Sequence, residues 1–493
     1  MSSAKPSDCA VAPGAPILAG GHGAVVAREL ERRAWSGSRL PPTLQSSPEQ
    51  VAQAVASARE GFDAGAWRGL SRLRRREVLL RWASLIEEHA PRLARINCLE
   101  TGRSLRSLQR DSLPKAVAAL RWFAELVDKL ADRSLHPGEF GTDFAIVRHE
   151  PIGVVAAILP WNDPLVTFAW KVAPALGMGN AVIVKPSEHA TLVLREAVLL
   201  AHQAGVPVHS LQLLSGDGYV GRELVAQPDV AKIAFTGSSA TAAAIGREAH
   251  RHGLKRLSFE CGGKGAFVFG LAGRDIAEFA AVVATNMYYN QGQICSAPSV
   301  VHVPSSRVDE FMHHLSLHAR TYLPGDPLGA REVGCMVSRE AVARVRAALD
   351  PLPDSMFAGP LGDRTTPADD PAWSITPSLL CGLPDEHVLW DTELFAPVLL
   401  LRPYDDIASA IAHANASRYG LAAGIWSQDM DECVDVAARL RVGIVHINSW
   451  GDDPNQVPFG GVKQSGHGHE KALETIESYA QLKSVYYRPR RGA

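Results

Sequence analysis

The run AVIVKPSE, residues 181–188, decides how the chain folds. Ala181 to Val184 is short, apolar and rich in β-branched residues, and it stops at Lys185, Pro186, Ser187 and Glu188, a stiff polar corner. An apolar run without alternation fits a strand covered on both faces, as in a parallel sheet. At the carboxyl end of such a strand Lys185 and Glu188 can hydrogen-bond ribose hydroxyls, because open α/β sheets bind ligands along that edge. Taken alone, a solvated strand end explains the same residues more simply.

Working outward, similar runs return as VVAAIL (154–159), KIAF (232–235), AFVF (266–269), VVHV (300–303), VLLL (398–401) and GIVHI (443–447), with helical stretches between them. Such alternation predicts parallel βα units and an α/β fold. Upstream, SSPEQVAQAVASARE (46–60) predicts a helix start, with Ser47 as N-cap, Pro48 in the first turn and Gln50 as capping-box partner. Helical patterns continue to about Leu130. The first 40 residues, rich in Ala, Gly and Pro and without periodicity, read as irregular.

A chain of 493 residues with 46% apolar composition suffices for two or three cores, since single cores stop growing at roughly 250–300 residues. Lys plus Arg number 50 and Asp plus Glu 52, a formal charge of −2. No basic stripe recommends a nucleic acid or an anionic membrane as partner. Cys9, Cys98, Cys261, Cys295, Cys335, Cys381 and Cys433 are scattered without a C-x-x-C pair, which predicts reduced thiols in a cytoplasmic protein. The N-terminus lacks a basic start followed by an apolar core, and no apolar run reaches about 18 residues, so neither secretion nor a membrane span is expected.

LQLLSGDGYVG (211–221) holds Gly216, Gly218 and Gly221 in a G-x-G-x-x-G between an expected strand and an expected helix. The acidic ribose partner of that fingerprint should follow about 20 residues later, yet the best candidate, Glu188, comes earlier, so a standard Rossmann order fails. IAFTGSSATAAAIG (233–246) runs through Gly237 and Ser238 into an alanine-rich helix whose first amides can hold a pyrophosphate. Together with VIVKPSE, these turns point to a dinucleotide. NQGQICSAPS (290–299) carries Cys295 between Ile294 and Ser296. Lone cysteines are mostly small buried hydrophobes, so the neighbours must decide its role.

PWNDPL (160–165), VIVKPSE (182–188), FTGSS (235–239), FECGGK (259–264), NQGQIC (290–295), TELFAPV (392–398) and PFGGVKQSGHGHE (458–470) stand in the order found in the NAD(P)-dependent aldehyde dehydrogenase superfamily. From about Ser47 to the C-terminus the chain resembles that family. The resemblance implies a Rossmann-type NAD-binding domain (1–130 and 152–261), an α/β catalytic domain (262–465) and a small β oligomerisation arm (131–151 and 466–493), assembled as a homodimer or homotetramer. It also implies oxidation of an aldehyde to a carboxylic acid through a cysteine thiohemiacetal and thioester, with hydride passing to the nicotinamide.

Carried over residue by residue, Cys295 is the nucleophile. The Asn162 amide with the Cys295 backbone N–H forms the oxyanion hole, and Glu260 activates water. Lys171 and Glu470 match a supporting proton-handling pair, for which a structural ion pair is the alternative. Lys185 and Glu188 match the adenosine-ribose contacts, Ser238 a phosphate contact, and Glu393 with Phe395 the nicotinamide-ribose clamp. Leu159, Trp161, Ser187, Gly221 and Gly237 belong to the same binding region. Glu188 would repel a 2′-phosphate, which favours NAD over NADP.

By alignment the substrate tunnel is lined by Asp163, Thr167, Trp170, Ile294, Ser296, Asp453 and Phe459. Unpaired buried charge is costly, so its two carboxylates predict a wet tunnel that tolerates polar, amino-bearing aldehydes. Cys261, Ala396 and His469 depart from the family's usual leucine, glycine and arginine, and Cys261 reads as a packing substitution. His467 and His469 lack the carboxylate spacing of a metal site, so no metal is expected. Two other readings compete. Glu260 argues against an acylating enzyme that passes the thioester to coenzyme A, and the intact Asn162, Glu260 and Cys295 argue against a non-catalytic homologue.

Overall fold

The computed structural model describes residues 15–19, 26–30, 35, 40–136, 144–358, 372–451 and 453–487. Its strands are β1 Val26–Leu30, β2 Thr43–Ser46, β3 Arg133–Leu135, β4 Phe144–Pro151, β5 Val154–Leu159, β6 Ala181–Pro186, β7 Leu211–Leu213, β8 Val230–Thr236 and β9 Arg256–Glu260. They continue as β10 Ala266–Phe269, β11 Val300–Pro304, β12 Ser378–Cys381, β13 Val398–Tyr404, β14 Ala422–Trp426, β15 Ile444–Ile447, β16 Gly466–His467 and β17 Ala480–Tyr487. Each apolar run read as a strand is one.

One six-stranded sheet has the order β16-β9-β8-β5-β6-β7, parallel except where β16 pairs antiparallel with β9. The second, β12-β13-β11-β10-β14-β15, is parallel throughout. Every residue of β5, β6, β10, β11 and β14 is buried, which explains why their sequences run apolar without alternation. A three-stranded antiparallel sheet, β17-β4-β3, stands apart from both. From Gln481 to Tyr487 β17 is exposed. Within the expected oligomerisation arm, residues 137–143 and the last six residues lie outside the described residues.

The helix Pro48–Ala64 begins as its sequence predicts: the Gln50 N–H donates to Ser47 Oγ at 3.2 Å, and the Ser47 N–H donates to Gln50 Oε1 at 2.9 Å. Among the first 40 residues the expectation of irregular chain fails at two places. β1 pairs antiparallel with β2, and Ile17 bridges Leu213 beside the first sheet. Backbone N–H and C=O groups demand partners whatever the side chains are, and pairing of this kind leaves no periodic mark in VAREL.

Helices cover the first sheet. In the helix Arg72–Glu88, Trp82 is fully buried, meets Phe168 edge-on at 5.5 Å between ring centroids and donates its Nε1–H to the Ala197 carbonyl at 3.0 Å. Phe168 lies on the helix Pro164–Gly177, which leads away from Asn162. Trp82 therefore braces the helix behind the site. Replacing it (Trp82→Ala) should cost about 3–5 kcal/mol, read as a lowered urea midpoint at unchanged slope; a loss below about 1 kcal/mol would contradict this bracing role.

Candidate active site

From β5 the chain passes to β6 and β7 on one side, then crosses back to β8 on the other. Where connections part in this way, a crevice opens at the carboxyl ends of the strands. A cavity of 580 Å³ occupies it. Leu159 and Trp161 line it from the end of β5, Lys185, Ser187 and Glu188 from the end of β6, and Gly237 and Ser238 from the end of β8. Gly218, Gly221 and Thr241 bring in the first turns of the helices Gly218–Ala226 and Ser239–Arg251, whose free N–H groups favour anions. A Cβ on Gly218 would meet nothing within 4 Å, whereas one on Gly237 would come within 2.4 Å of the Phe235 ring.

Lys185 is buried, and burial holds its ammonium below the usual range against the pull of Glu188 and Asp217. Burial pushes the Glu188 carboxyl up, but the Lys185 charge and a backbone N–H prevail and hold it below the usual range. Glu188 is thus an ionised, acceptor-only group. Glu393 and Phe395 stand outside this cavity. Burial pushes Glu393 up to about 7 against the Gly263 N–H, which donates to its Oε1 at 3.0 Å, and the charge of Lys264. A Cβ on Gly262 would fall 1.7 Å from Glu393 Oε2. Phe395, at a φ of 54°, meets Trp161 edge-on at 5.5 Å.

A second pocket, of 270 Å³, holds the thiol. Cys295 and Asn162 line it, and so do Asp163, Thr167, Trp170, Ile294, Ser296, Asp453 and Phe459, the residues expected of the tunnel. Beneath Cys295 the chain turns through Asn290, Gln291 and Gly292, with φ of 50°, 57° and 64°. Left-handed non-glycine residues cost on the order of 1–3 kcal/mol each and persist only where surroundings enforce them. Here the Ile375 N–H donates to Gln291 Oε1 and the Val337 N–H to Gln293 Oε1, each at 3.0 Å.

Burial pushes the Cys295 thiol up to about 12, Glu393 and Glu260 push the same way, and the N–H groups of Ser296 and Cys295 pull it down. Asn162 Nδ2 donates to the Gln293 carbonyl at 3.1 Å. An amide nitrogen carries two N–H bonds, and the second is uncommitted among the described residues. Glu260 ends β9, is 5% exposed, and neither of its carboxyl oxygens has a hydrogen-bond partner among the described residues. Burial, followed by the charge of Glu470, pushes it well above the usual carboxylate range against Lys171. Lys171 and Glu470 form a buried ion pair. Burial raises Glu470 against the charge of Lys171.

The expectation of two unpaired carboxylates in the tunnel is corrected at Asp163. Arg103, 3% exposed, sits 3.0 Å from Asp163 Oδ2, and Ser112 Oγ donates to Oδ1 at 2.5 Å. The same guanidinium reaches the Tyr289 hydroxyl at 2.5 Å and the Asn162 carbonyl at 3.3 Å. Asp453 Oδ1 is 3.7 Å from His446 Nε2. Sequence reading missed Arg103, Lys115, Tyr289 and Lys471, all of which line the pocket. None stands in a motif, and Lys471 carries one available signal, its position directly after Glu470. Cys261 is buried in an apolar cluster, in keeping with a packing role. Among the described residues no group of His, Cys, Asp and Glu could hold a metal ion, and no helix is long and apolar enough to cross a membrane.

The profile described as "Aldehyde dehydrogenase family" matches residues 35–485. The aminoacetaldehyde dehydrogenase of Pseudomonas aeruginosa is 36% identical over 92% of this chain and 90% of its own length. The NADP/NAD-dependent aldehyde dehydrogenase PuuC of Escherichia coli is 34% identical over 88% and 87%. A crystal structure of indole-3-acetaldehyde dehydrogenase complexed with NAD+ superposes with a TM-score of 0.92 at 30% identity, covering 98% of both chains. With its crevice, its thiol pocket and these relatives in agreement, the chain belongs to the aldehyde dehydrogenase family.

Proposed function

We propose that this chain oxidises an aldehyde to a carboxylic acid with NAD, using Cys295 as nucleophile. The observation that carries the reading is the meeting, in one small pocket, of the Cys295 thiol and the half-committed Asn162 amide, with the unpartnered Glu260 close enough to act on the thiol's charge. The β5 crevice fits a dinucleotide: an ionised carboxylate for ribose hydroxyls, two helix starts for phosphates, and open space above Gly218. When bound, NAD supplies the acceptor for the hydride that the substrate gives up.

The remaining chemistry belongs to the protein. Sulfur must lose its proton before it can attack, and we assign Glu260, whose high-titrating carboxyl acts on the thiol, to receive it. Attack on the carbonyl carbon drives charge onto oxygen, which the second Asn162 N–H and the Cys295 backbone N–H stabilise. Once the substrate is an acyl thioester and Glu260 has passed its first proton to solvent, the carboxylate takes a proton from water as the water oxygen adds to the acyl carbon. The carbon–sulfur bond breaks, the acid leaves, and that proton returns to sulfur as the thiol. Lys171 and Glu470 keep a charged pair behind Glu260 and tune its proton affinity.

We further infer that residues 1–130 with 152–261, and 262–465, act as cofactor-binding and catalytic domains, with the boundary between β9 and β10. The exposed length of β17 supports association into a homodimer or homotetramer through 131–151 and 466–493, since an open strand edge seeks a partner. The six described cysteines are free thiols, in keeping with a cytoplasmic enzyme.

Cys295→Ala should abolish aldehyde oxidation while NAD still quenches protein fluorescence, and the wild-type product should be a free acid at the same rate with or without coenzyme A. Glu260→Gln should slow steady turnover by about 10²–10⁴-fold, with the acyl-enzyme visible by mass spectrometry. A base must be ionised to accept a proton, so acid release should rise with pH through the elevated pKa of Glu260, and Glu260→Gln should flatten that limb. Glu188→Gln should raise kcat/KM with NADP relative to NAD by about tenfold, the scale of one removed charge repulsion; an unchanged ratio would exclude Glu188 from the ribose site.

A further inference from the structure

Lys471 is a cation built into the wall of the thiol pocket. It is 4% exposed, and the antiparallel bridge between Phe459 and Glu470 brings it beside the Phe459 ring. Its Nζ lies 5.0 Å from the Trp170 ring centroid and 5.1 Å from that of Phe459, two rings themselves 5.3 Å apart. One of its three N–H donors goes to the Asp453 carbonyl at 3.0 Å, the single hydrogen-bond acceptor it has among the described residues. The backbone adopts φ of 64° at Lys471 and 43° at Ala472 to achieve this. Ordinary salt-bridge formation does not account for a lysine held in such a conformation.

We propose that Lys471 determines substrate charge, selecting short aldehydes that carry an anionic group at the far end and rejecting those with a cationic one. The inference rests on the aldehyde-oxidising reading of the same pocket. Aromatic faces attract cations, and an incoming ammonium would need the faces of Trp170 and Phe459 that Lys471 already uses. The pocket's three carboxylates are already matched: Asp163 to Arg103, Asp111 to the Tyr289 hydroxyl at 3.1 Å and to Arg110 at 3.0 Å, and Asp453 to Lys471 itself, whose charge it supports. Lys115 lines the same pocket and opposes the Lys471 charge, so a tail carboxylate would relieve repulsion between two ammonium groups. Burial pushes Lys471 down to about 8 against the charge of Asp453, and Lys115 adds to the fall; an arriving anion would act with Asp453 to oppose it. A volume of 270 Å³ lies below the roughly 300–1,000 Å³ of sites for drug-sized ligands, which favours a short aldehyde.

The test compares kcat/KM with NAD for 4-oxobutanoate, pentanal and 3-aminopropanal, in the wild type and in Lys471→Met, Lys471→Gln and Lys471→Arg. The wild type should prefer the anionic aldehyde over the neutral one by at least tenfold and the neutral over the cationic. Each neutral variant should cut the anionic-to-neutral ratio at least tenfold, chiefly through KM, and Lys471→Arg should keep it. Because the readout is a ratio within one protein, a general loss of activity does not imitate it. A wild-type ratio of one or less overturns the proposal even if every variant fails to fold, and so does a ratio unchanged in Lys471→Met or Lys471→Gln. If no aldehyde of the three reduces NAD, the aldehyde-oxidising reading itself fails, a different result from oxidation without charge preference.

Discussion

The ion pair between Lys171 and Glu470 holds both walls of the thiol pocket. Placing two charges out of water is expensive, and removing one partner of such a pair costs about 3–5 kcal/mol because it strands the other. Lys171 belongs to the helix Pro164–Gly177, one residue after Trp170, and Glu470 pairs through its backbone with Phe459, one residue before Lys471. A single contact thus fixes the spacing of Trp170, Phe459 and Lys471. It also sets the field behind Glu260, where Glu470 and Lys171 push in opposite directions. Architecture and acidity share one cause.

Low polarity around the reacting groups has a consistent effect. Burial drives Cys295, Glu260, Glu393 and Glu470 toward their protonated forms. A pocket whose acids are reluctant to ionise keeps protons close at hand, and each electrostatic contact made inside it counts for more than in water. The proposed oxyanion donors gain from this setting, since they need no solvent to reorganise. The same burial works against premature ionisation of sulfur, which protects the thiol from adventitious oxidation.

Much of the fold was legible because parallel strands buried on both faces write themselves as apolar runs, and because Ser47, Pro48 and Gln50 form a cap within four residues. The residues lining the crevice were legible for the same reason: they sit at the ends of β5, β6 and β8, directly after recognisable runs. Arg103 was not, since its partners Asp163, Asn162 and Tyr289 come from two other parts of the chain, and a charge reads as solvated until its counter-charge is found. That hidden pairing takes Asp163 out of the two carboxylates that the sequence offers the tunnel as uncommitted. β1 was invisible because its partner β2 contributes backbone groups, which every sequence carries alike.

The left-handed turn under Cys295 has a wider effect on how the protein tolerates change. Its torsions are unfavourable on their own, and what enforces them is a pair of buried amides, Gln291 and Gln293, gripped by the chain at Ile375 and Val337. The sulfur therefore stands on a sprung pedestal clamped by remote segments of the second sheet's layer. Sequence drift at those remote clamps reaches the thiol without touching it, so the portion of the molecule that must stay fixed for the proposed chemistry is far larger than the portion that lines the pocket.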